Sequence, residues 1–192
     1  MSSRETRDDR IAPPDAELAD LVVRVTRRDP EAFAGLYDRY VDSIYRYLHF
    51  RVRNPTEAED LTEQVFLRAW QAIESYRPTG RPFSSWLYSI ARNLVIDHFR
   101  SARPSAGLPE DALAPASFAE PAVVLDQTLA MDRFREALQE LTPDQQQVII
   151  LRFIEGLGYE DVAQAIGKSP GTVRVIQHRA LAKLRQFIEE GS

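Results

Sequence analysis

The chain has 192 residues, 44% of them hydrophobic and 28% charged, which allows one domain or two small ones and argues against wholesale disorder or a fibre. It has no cysteine, so disulfides, thiolate zinc sites and cysteine nucleophiles are excluded. The net charge of -5, from 24 basic and 29 acidic residues, argues against a free-standing, non-specific DNA binder.

Three scattered histidines, His49, His98 and His178, do not suggest an imidazole metal site. Apolar runs of about five residues fall far short of the roughly 20 that span a bilayer, so no direct membrane insertion is expected. The polar stretch from Met1 to Arg10 runs into Pro13 and Pro14 and lacks the apolar core of a secretory signal. The expected compartment is the cytoplasm.

Residues 1–17 are charged and read as a disordered tail. From Ala19 to about Asn54 the period is helical. Asp29 caps a helix and Pro30 opens it. Phe33, Leu36, Tyr37, Tyr40, Ile44, Tyr47 and Leu48 then recur at spacings of three and four, giving one apolar stripe. Asn54, Pro55 and Glu57 repeat the start signal, and the helix they open runs to about Tyr76. Two prolines and a glycine make Arg77 to Pro82 a loop. A further helix covers Phe83 or Ser84 to about Arg100, so 18–100 reads as one domain.

In Ser101–Ala122, 11 of 22 residues are Ala or Pro, too few large apolar groups remain to build a core, and 101–122 reads as an extended linker. A second domain covers 123–192. Its first helix runs from about Val123 to Leu141. Thr142, Pro143 and Gln145 start the next with a capping box, and Gly156 and Gly158 end it. Tyr159–Ile166 is a short helix, Gly167 to Ser169 a tight turn, and Pro170 opens a last helix to about Glu189. No strand alternation occurs, so the expected fold is all-α: two small helical domains joined by a flexible linker.

Helix, short turn with glycine, then a longer basic helix is the pattern of a helix-turn-helix. From Gly167 to Phe187 there are five Lys or Arg and no Asp or Glu. Such a basic surface on an acidic body can touch phosphate locally but needs a partner to hold it on DNA. Val173, Ile176, Ala180, Leu184 and Phe187 form a dry face. Gly171, Arg174, Val175, His178, Ala182 and Arg185 lie opposite. Val175 suits a thymine methyl, and Arg174 a guanine edge or phosphate. Ser169 caps the helix and leaves backbone amides near a phosphate. Arg179, Lys183 and Arg185 lie deeper and suit the backbone. A plain solvated face is the alternative.

In the first domain, Leu61, Val65, Arg68 and Ala72 share one side of a helix, while Phe66, Trp70 and Ile73 lie roughly on the other. Either a partner covers the second side or the helix is central in a bundle and buried all round. Tyr76, Phe83, Trp86 and Tyr88 form an aromatic cluster near Arg92, Asn93, Asp97, His98 and Arg100. Aromatics beside a Gly/Pro loop with Arg77 and Arg81 suit the holding of unstacked bases, and core packing explains them almost as well.

Several signatures occur in order. They are Asp60-Leu61 with Val65-Phe66-Leu67-Arg68-Ala69-Trp70, then Phe83-Ser84-Ser85-Trp86-Leu87-Tyr88 through Asn93 to Asp97 and Arg100. Leu141-Thr142-Pro143 follows, then Gly158 to Ala163, and Gly171 to Arg174 with His178 to Ala180 and Leu184-Arg185. Together they resemble the sigma-70 family, specifically its small two-domain extracytoplasmic-function (group four) sigma factors.

The resemblance implies a dissociable subunit of bacterial RNA polymerase, with no enzymatic activity and no cofactor. Asp60, Leu61, Glu63, Gln64, Phe66, Leu67 and Trp70 would bind the clamp helices of the largest subunit of core RNA polymerase. Tyr76, Arg77, Arg81, Phe83 and Trp86 would open the duplex and capture a base of the -10 element. Arg92, Asn93, Asp97 and Arg100 would contact that element. Lys168, Ser169, Gly171, Thr172, Arg174, Val175, His178, Arg179, Lys183 and Arg185 would meet the -35 element, with the domain docked on the β flap. The two promoter DNA elements would lie roughly 16–17 base pairs apart, about 55 Å along B-DNA. An anti-sigma factor is the implied regulatory partner.

The sequence departs from the family pattern in two places. Glu63-Gln64 reverses the usual order of amide and acid, and Val175-Ile176 stands where many members have Ser-Arg. The main alternative is a conventional helix-turn-helix transcription regulator with an N-terminal sensing or dimerisation domain. Asp60, Glu63 and Asp97 could imitate a carboxylate site, but no motif supplies a nucleophile, phosphate loop or convergent ligands.

Overall fold

The computed structural model describes residues 16–77, 82–102 and 125–190, and among them the chain is all-α. The first domain holds α1 (Ala16–Val25), α2 (Pro30–Val52), α3 (Pro55–Ala72), a 3-10 turn (Ile73–Ser75) and α4 (Phe83–Ala102). The second holds α5 (Leu125–Gln139), α6 (Pro143–Ile149), a π-helical turn (Ile150–Ile154), α7 (Tyr159–Ile166) and α8 (Pro170–Glu190). No helix among the described residues is long and apolar enough to cross a membrane.

Local chemistry sets the helix starts. The Asp29 carboxylate accepts the amides of Glu31 (3.0 Å) and Ala32 (3.2 Å), and Pro30 lacks a donor to satisfy. Asn54 accepts from Thr56 (3.0 Å) and Glu57 (3.4 Å) before Pro55. Thr142 and Gln145 make the reciprocal capping box ahead of Pro143.

The helix start expected at Asp29 and Pro30 is where α2 begins, and Arg28, whose φ of 62° is left-handed, separates it from α1. Helix α1 also starts at Ala16, inside the expected tail. Its packing explains both facts. Gly35 lets α1 approach α2 closely, since a Cβ there would stand 3.2 Å from a Leu21 methyl. Val22 and Val25 join the core.

Helix α3 packs between α2 and α4. Leu36, Ile44, Tyr47, Leu48, Val65 and Leu87 are fully buried there. In the second domain α6, α7 and α8 enclose Val148, Ile149, Ile150, Leu151, Val162, Val173 and Ala180. The dry face of α8 is as its period predicts: Val173 and Ala180 are fully buried and Leu184 nearly so. The expected linker and the start at Val123 fall on residues 103–124, outside the described residues. The domains meet face to face, with α7 packed on α4 and the edge of Phe50 on Phe134 (6.0 Å between ring centres).

Asp29 supplies a pH test. The hydrogen bond from Arg24, at 2.8 Å, and then the capping amides hold its carboxyl below the ordinary carboxylate value. A group with a lowered folded pKa stabilises the fold above its unfolded pKa and stops doing so as pH falls through the folded one. Asn can still cap but cannot pair with Arg24. Thermal melts should therefore show Asp29→Asn melting below wild type at neutral pH, with the gap closing through the acid carboxylate range. A pH-independent gap would remove the charge from the explanation.

Candidate nucleic-acid and protein interfaces

Helix α8 presents a basic face opposite its dry one. Gly171, Thr172, Arg174, Val175, His178, Arg179, Lys183 and Arg185 are exposed, and Val175 is 50% exposed. Ser169 caps the helix, accepting the Thr172 amide at 3.1 Å. Two lysines are already engaged: Lys168 pairs with Asp144 (3.0 Å), and Lys183 donates to the Glu140 carbonyl. Arg174 is held differently. Its guanidinium lies 4.5 Å from the Tyr159 ring centre, and Arg152 covers the same ring at 4.1 Å. Glu160 stands 4.0 Å away. Tyr159 was missed in sequence because a cation–π sandwich has no fixed spacing.

Helix α4 has two faces outside its core. Ser85, Trp86, Ser89 and Arg92 lie toward the second domain. Ser85, Trp86 and Ser89 share a cleft of about 270 Å³ with Tyr76, Arg77 and Gln164 of α7, while Arg92 bonds Gln147 at 3.2 Å. Asn93, Asp97 and Arg100 lie on a different stripe, where Asp97 accepts from Arg100 (2.9 Å) and approaches Arg68 (3.7 Å). Asn93 and Arg100 are exposed. Arg81 lies outside the described residues.

The aromatic cluster packs on itself. Tyr76 stands edge-on to Phe83 (5.4 Å), and both rings flank Trp86 (5.0 and 5.4 Å). Tyr76, Phe83 and Tyr88 are buried, while Trp86 is only partly so. Trp86 and Tyr76 both line the cleft, and Trp86 is the less buried of the two.

On α3 the central-helix alternative describes Phe66. Its ring is 4% exposed, packed on Tyr37 (4.7 Å) and edge-on to Phe33 (6.4 Å). Leu61 is buried too, and Trp70 is half-covered by Phe33 and Arg28. The outward groups are Asp60, Glu63, Gln64 and Leu67, the last 56% exposed. Apolar residues on two sides of α3 reflect neighbours on two sides, α2 and α4. Among the described residues, no group of three or more His, Asp or Glu could hold a metal ion.

Two helical domains, the second a helix-turn-helix with an exposed basic helix, define a modular DNA-binding protein. Residues 36–104 match the family described as Sigma-70 region 2, and 137–186 match Sigma-70, region 4. The chain is 36% identical over 177 residues to the ECF RNA polymerase sigma factor BldN of Streptomyces coelicolor, covering 91% of this chain and 67% of that one. Its fold is similar to that of CnrH solved with the cytosolic domain of CnrY (TM-score 0.72, 24% identity, 93% of this chain and 100% of that one). It is also similar to RpoE solved with the anti-sigma factor NepR from Bartonella quintana (TM-score 0.62, 23% identity, 82% and 96% covered). The chain belongs to the extracytoplasmic-function sigma factors of the sigma-70 family. It acts in transcription initiation with core RNA polymerase and promoter DNA.

The burial of neighbours on α3 separates structure from surface. Phe66→Ala should cost about 3–5 kcal/mol in urea unfolding, as an emptied aromatic core site does. Leu67→Ala should stay within about 0.5 kcal/mol of wild type. Equal losses would contradict this placement of the two side chains.

Proposed function

We propose that the two domains divide promoter recognition, the first binding polymerase and the -10 element and the second the -35 element. The observation that carries this reading is the exposed face of α8, where Arg174 over the Tyr159 ring and the exposed Val175 sit among basic side chains. Arg174 and Val175 read base edges in the major groove. His178, Arg179 and Arg185 stay on phosphates, with the Ser169-capped helix start and Thr172 beside them. Lys168 and Lys183 reach DNA only by leaving Asp144 and Glu140.

In the first domain, the outward residues Asp60, Glu63, Gln64 and Leu67 meet the polymerase clamp helices. Phe66, Leu61 and Trp70 hold that surface from behind. Asn93, Asp97 and Arg100 contact the -10 element. Trp86 with Tyr76, Phe83 and the arginines Arg77 and Arg81 serves strand capture. The second domain docks on the β flap, and the factor works in the cytoplasm. RpoE, which shares this fold, was solved with an anti-sigma factor, which supports a partner of that kind here.

The first test is transcription by purified core polymerase on a promoter library, with 5′-end mapping. New starts that share two spaced upstream elements are expected. Specific duplex binding without polymerase, and no new starts, would instead point to a conventional regulator.

Tyr159 sharpens the test. Arg174→Ala should reduce discrimination at one -35 base pair by roughly 10-fold or more, the effect of losing a good base contact. Tyr159→Ala should reduce it partly at the same base pair, and Tyr159→Phe should restore it, because the ring face makes the contact. Full discrimination by Tyr159→Ala in a -35 mutation series would show that the ring does not position Arg174.

A further inference from the structure

Arg68 is an unusual member of its helix. It lies on the side of α3 that carries the buried Leu61 and Val65, yet it is charged and exposed. It is also the only Lys or Arg in Pro55–Ala72, a helix with four acids: Glu57, Glu59, Asp60 and Glu63. Asp97 is the converse case, the only acid in Phe83–Ala102.

These two lone charges meet across the packing of α3 on α4. An Nη of Arg68 stands 3.7 Å from one Asp97 oxygen, and Arg100 donates to the other oxygen at 2.9 Å. Beside them, the His98 ring of α4 stands 3.2 Å from Glu57 of α3. The three side chains of the arginine cluster are open to water, 49% exposed for Arg68, 44% for Asp97 and 78% for Arg100. Ion pairs this exposed contribute little to stability, so the fold gains little from the arrangement. An arginine at the edge of a core can lay its stem over apolar neighbours. That accounts for the stem of Arg68 but not for a head placed at the one acid of α4.

The sign of the charge decides what the cluster can take. Two guanidiniums around one carboxylate leave a net positive charge, and it lies on the same stripe of α4 as the exposed Asn93. A guanidinium carries five donors in a planar fork that matches phosphate. Arg100 commits one donor to Asp97, while Arg68 is held by charge from beyond hydrogen-bond distance. Each carboxylate oxygen faces a different arginine, so one acid steadies two forks that come from two helices. Asp97 has the sign of a phosphate and is itself repelled by one.

We propose that Arg68 and Arg100 form a two-armed clamp on the backbone phosphates of the -10 element, with Asp97 between them as the positioning residue. Arg68 thereby adds a DNA contact from the helix whose other outward groups turn to polymerase, and Asp97 takes its part in the -10 surface through the two arginines. The clamp rests on the first domain meeting the -10 element, as proposed above.

The test uses holoenzyme assembled from core polymerase and the full chain, on a promoter recovered by 5′-end mapping. Phosphates of the -10 element are replaced one at a time by uncharged methylphosphonate, and binding is measured across a salt series. Wild type should lose affinity severalfold at one or two neighbouring phosphates. Arg68→Gln should bind the native backbone severalfold more weakly, lose nothing further at one of those phosphates, and leave discrimination among -10 base sequences unchanged. Its slope of log affinity against log salt should fall by about 0.7–0.9, as for one lost phosphate contact. An unchanged slope and an unchanged methylphosphonate profile would overturn the clamp, and so would a loss of affinity for core polymerase that accounts for the whole defect.

Asp97→Asn separates positioning from simple charge. Freed of their common acid, the two arginines should no longer favour particular phosphates, and the position-specific penalty should flatten while Asp97→Glu keeps part of it. An acid that only repels DNA would behave otherwise: its removal would raise affinity at every position alike and leave the penalty in place, which would overturn the positioning role. Wild-type holoenzyme that does not distinguish a native from a mutated -10 element would instead sink the functional reading itself.

Discussion

A carboxylate removed from water needs compensating charge, and among the described residues Glu155 meets its hydrogen-bond partners in the other domain. Desolvating it alone would be strongly unfavourable. Arg46 meets both oxygens from α2, and Tyr88 adds a third bond from α4. The backbone prepares that meeting. After α6 the chain takes a π-helical turn, with the Glu155 amide on the Ile150 carbonyl at 3.0 Å and the Leu157 amide on the Leu151 carbonyl at 2.9 Å. A wide turn shifts the direction of the side chains that follow it. The relative placement of the domains, the packing of α7 on α4 and the cleft at Trp86 all depend on this junction.

The parts legible in sequence are those governed by short-range rules. Asp29, Asn54 and Thr142 each precede a proline, and each caps the helix that the proline opens. The dry face of α8 follows from a helical period, since one layer of neighbours covers it. Helix α3 obeys the same rule less helpfully. It has neighbours on two sides, so Phe66 and Val65 can both be apolar for reasons of packing. Periodicity cannot distinguish a partner's surface from a second layer of the same core. The Arg46–Glu155 pair is illegible for another reason: the residues are 109 positions apart, and a charge pair formed across a domain contact leaves no periodic pattern in the sequence. The sandwich of Arg152, Tyr159 and Arg174 is likewise a tertiary event.

That sandwich reconciles a weakly charged binder with a selective one. Arginine side chains lose considerable freedom when they fix a base, and a guanidinium already stacked on a ring has less to lose. Arg174 lies over the Tyr159 ring, and its nearest acid, Glu160, stands 4.0 Å away, beyond hydrogen-bond distance. An acidic body of net charge -5 reduces non-specific retention on DNA. Under the function proposed above, selectivity comes from the exposed face of α8 and residence from the polymerase.

Helix α4 brings these constraints together because it has three faces. Leu87, Ala91, Leu94 and Val95 are committed to the core. Ser85, Trp86, Ser89 and Arg92 lie under the second domain, whereas Asn93 and Arg100 remain in water. The domain contact therefore covers one stripe of the proposed -10 surface and not the other. It covers the stripe beside the aromatic cluster and leaves the outer stripe in water.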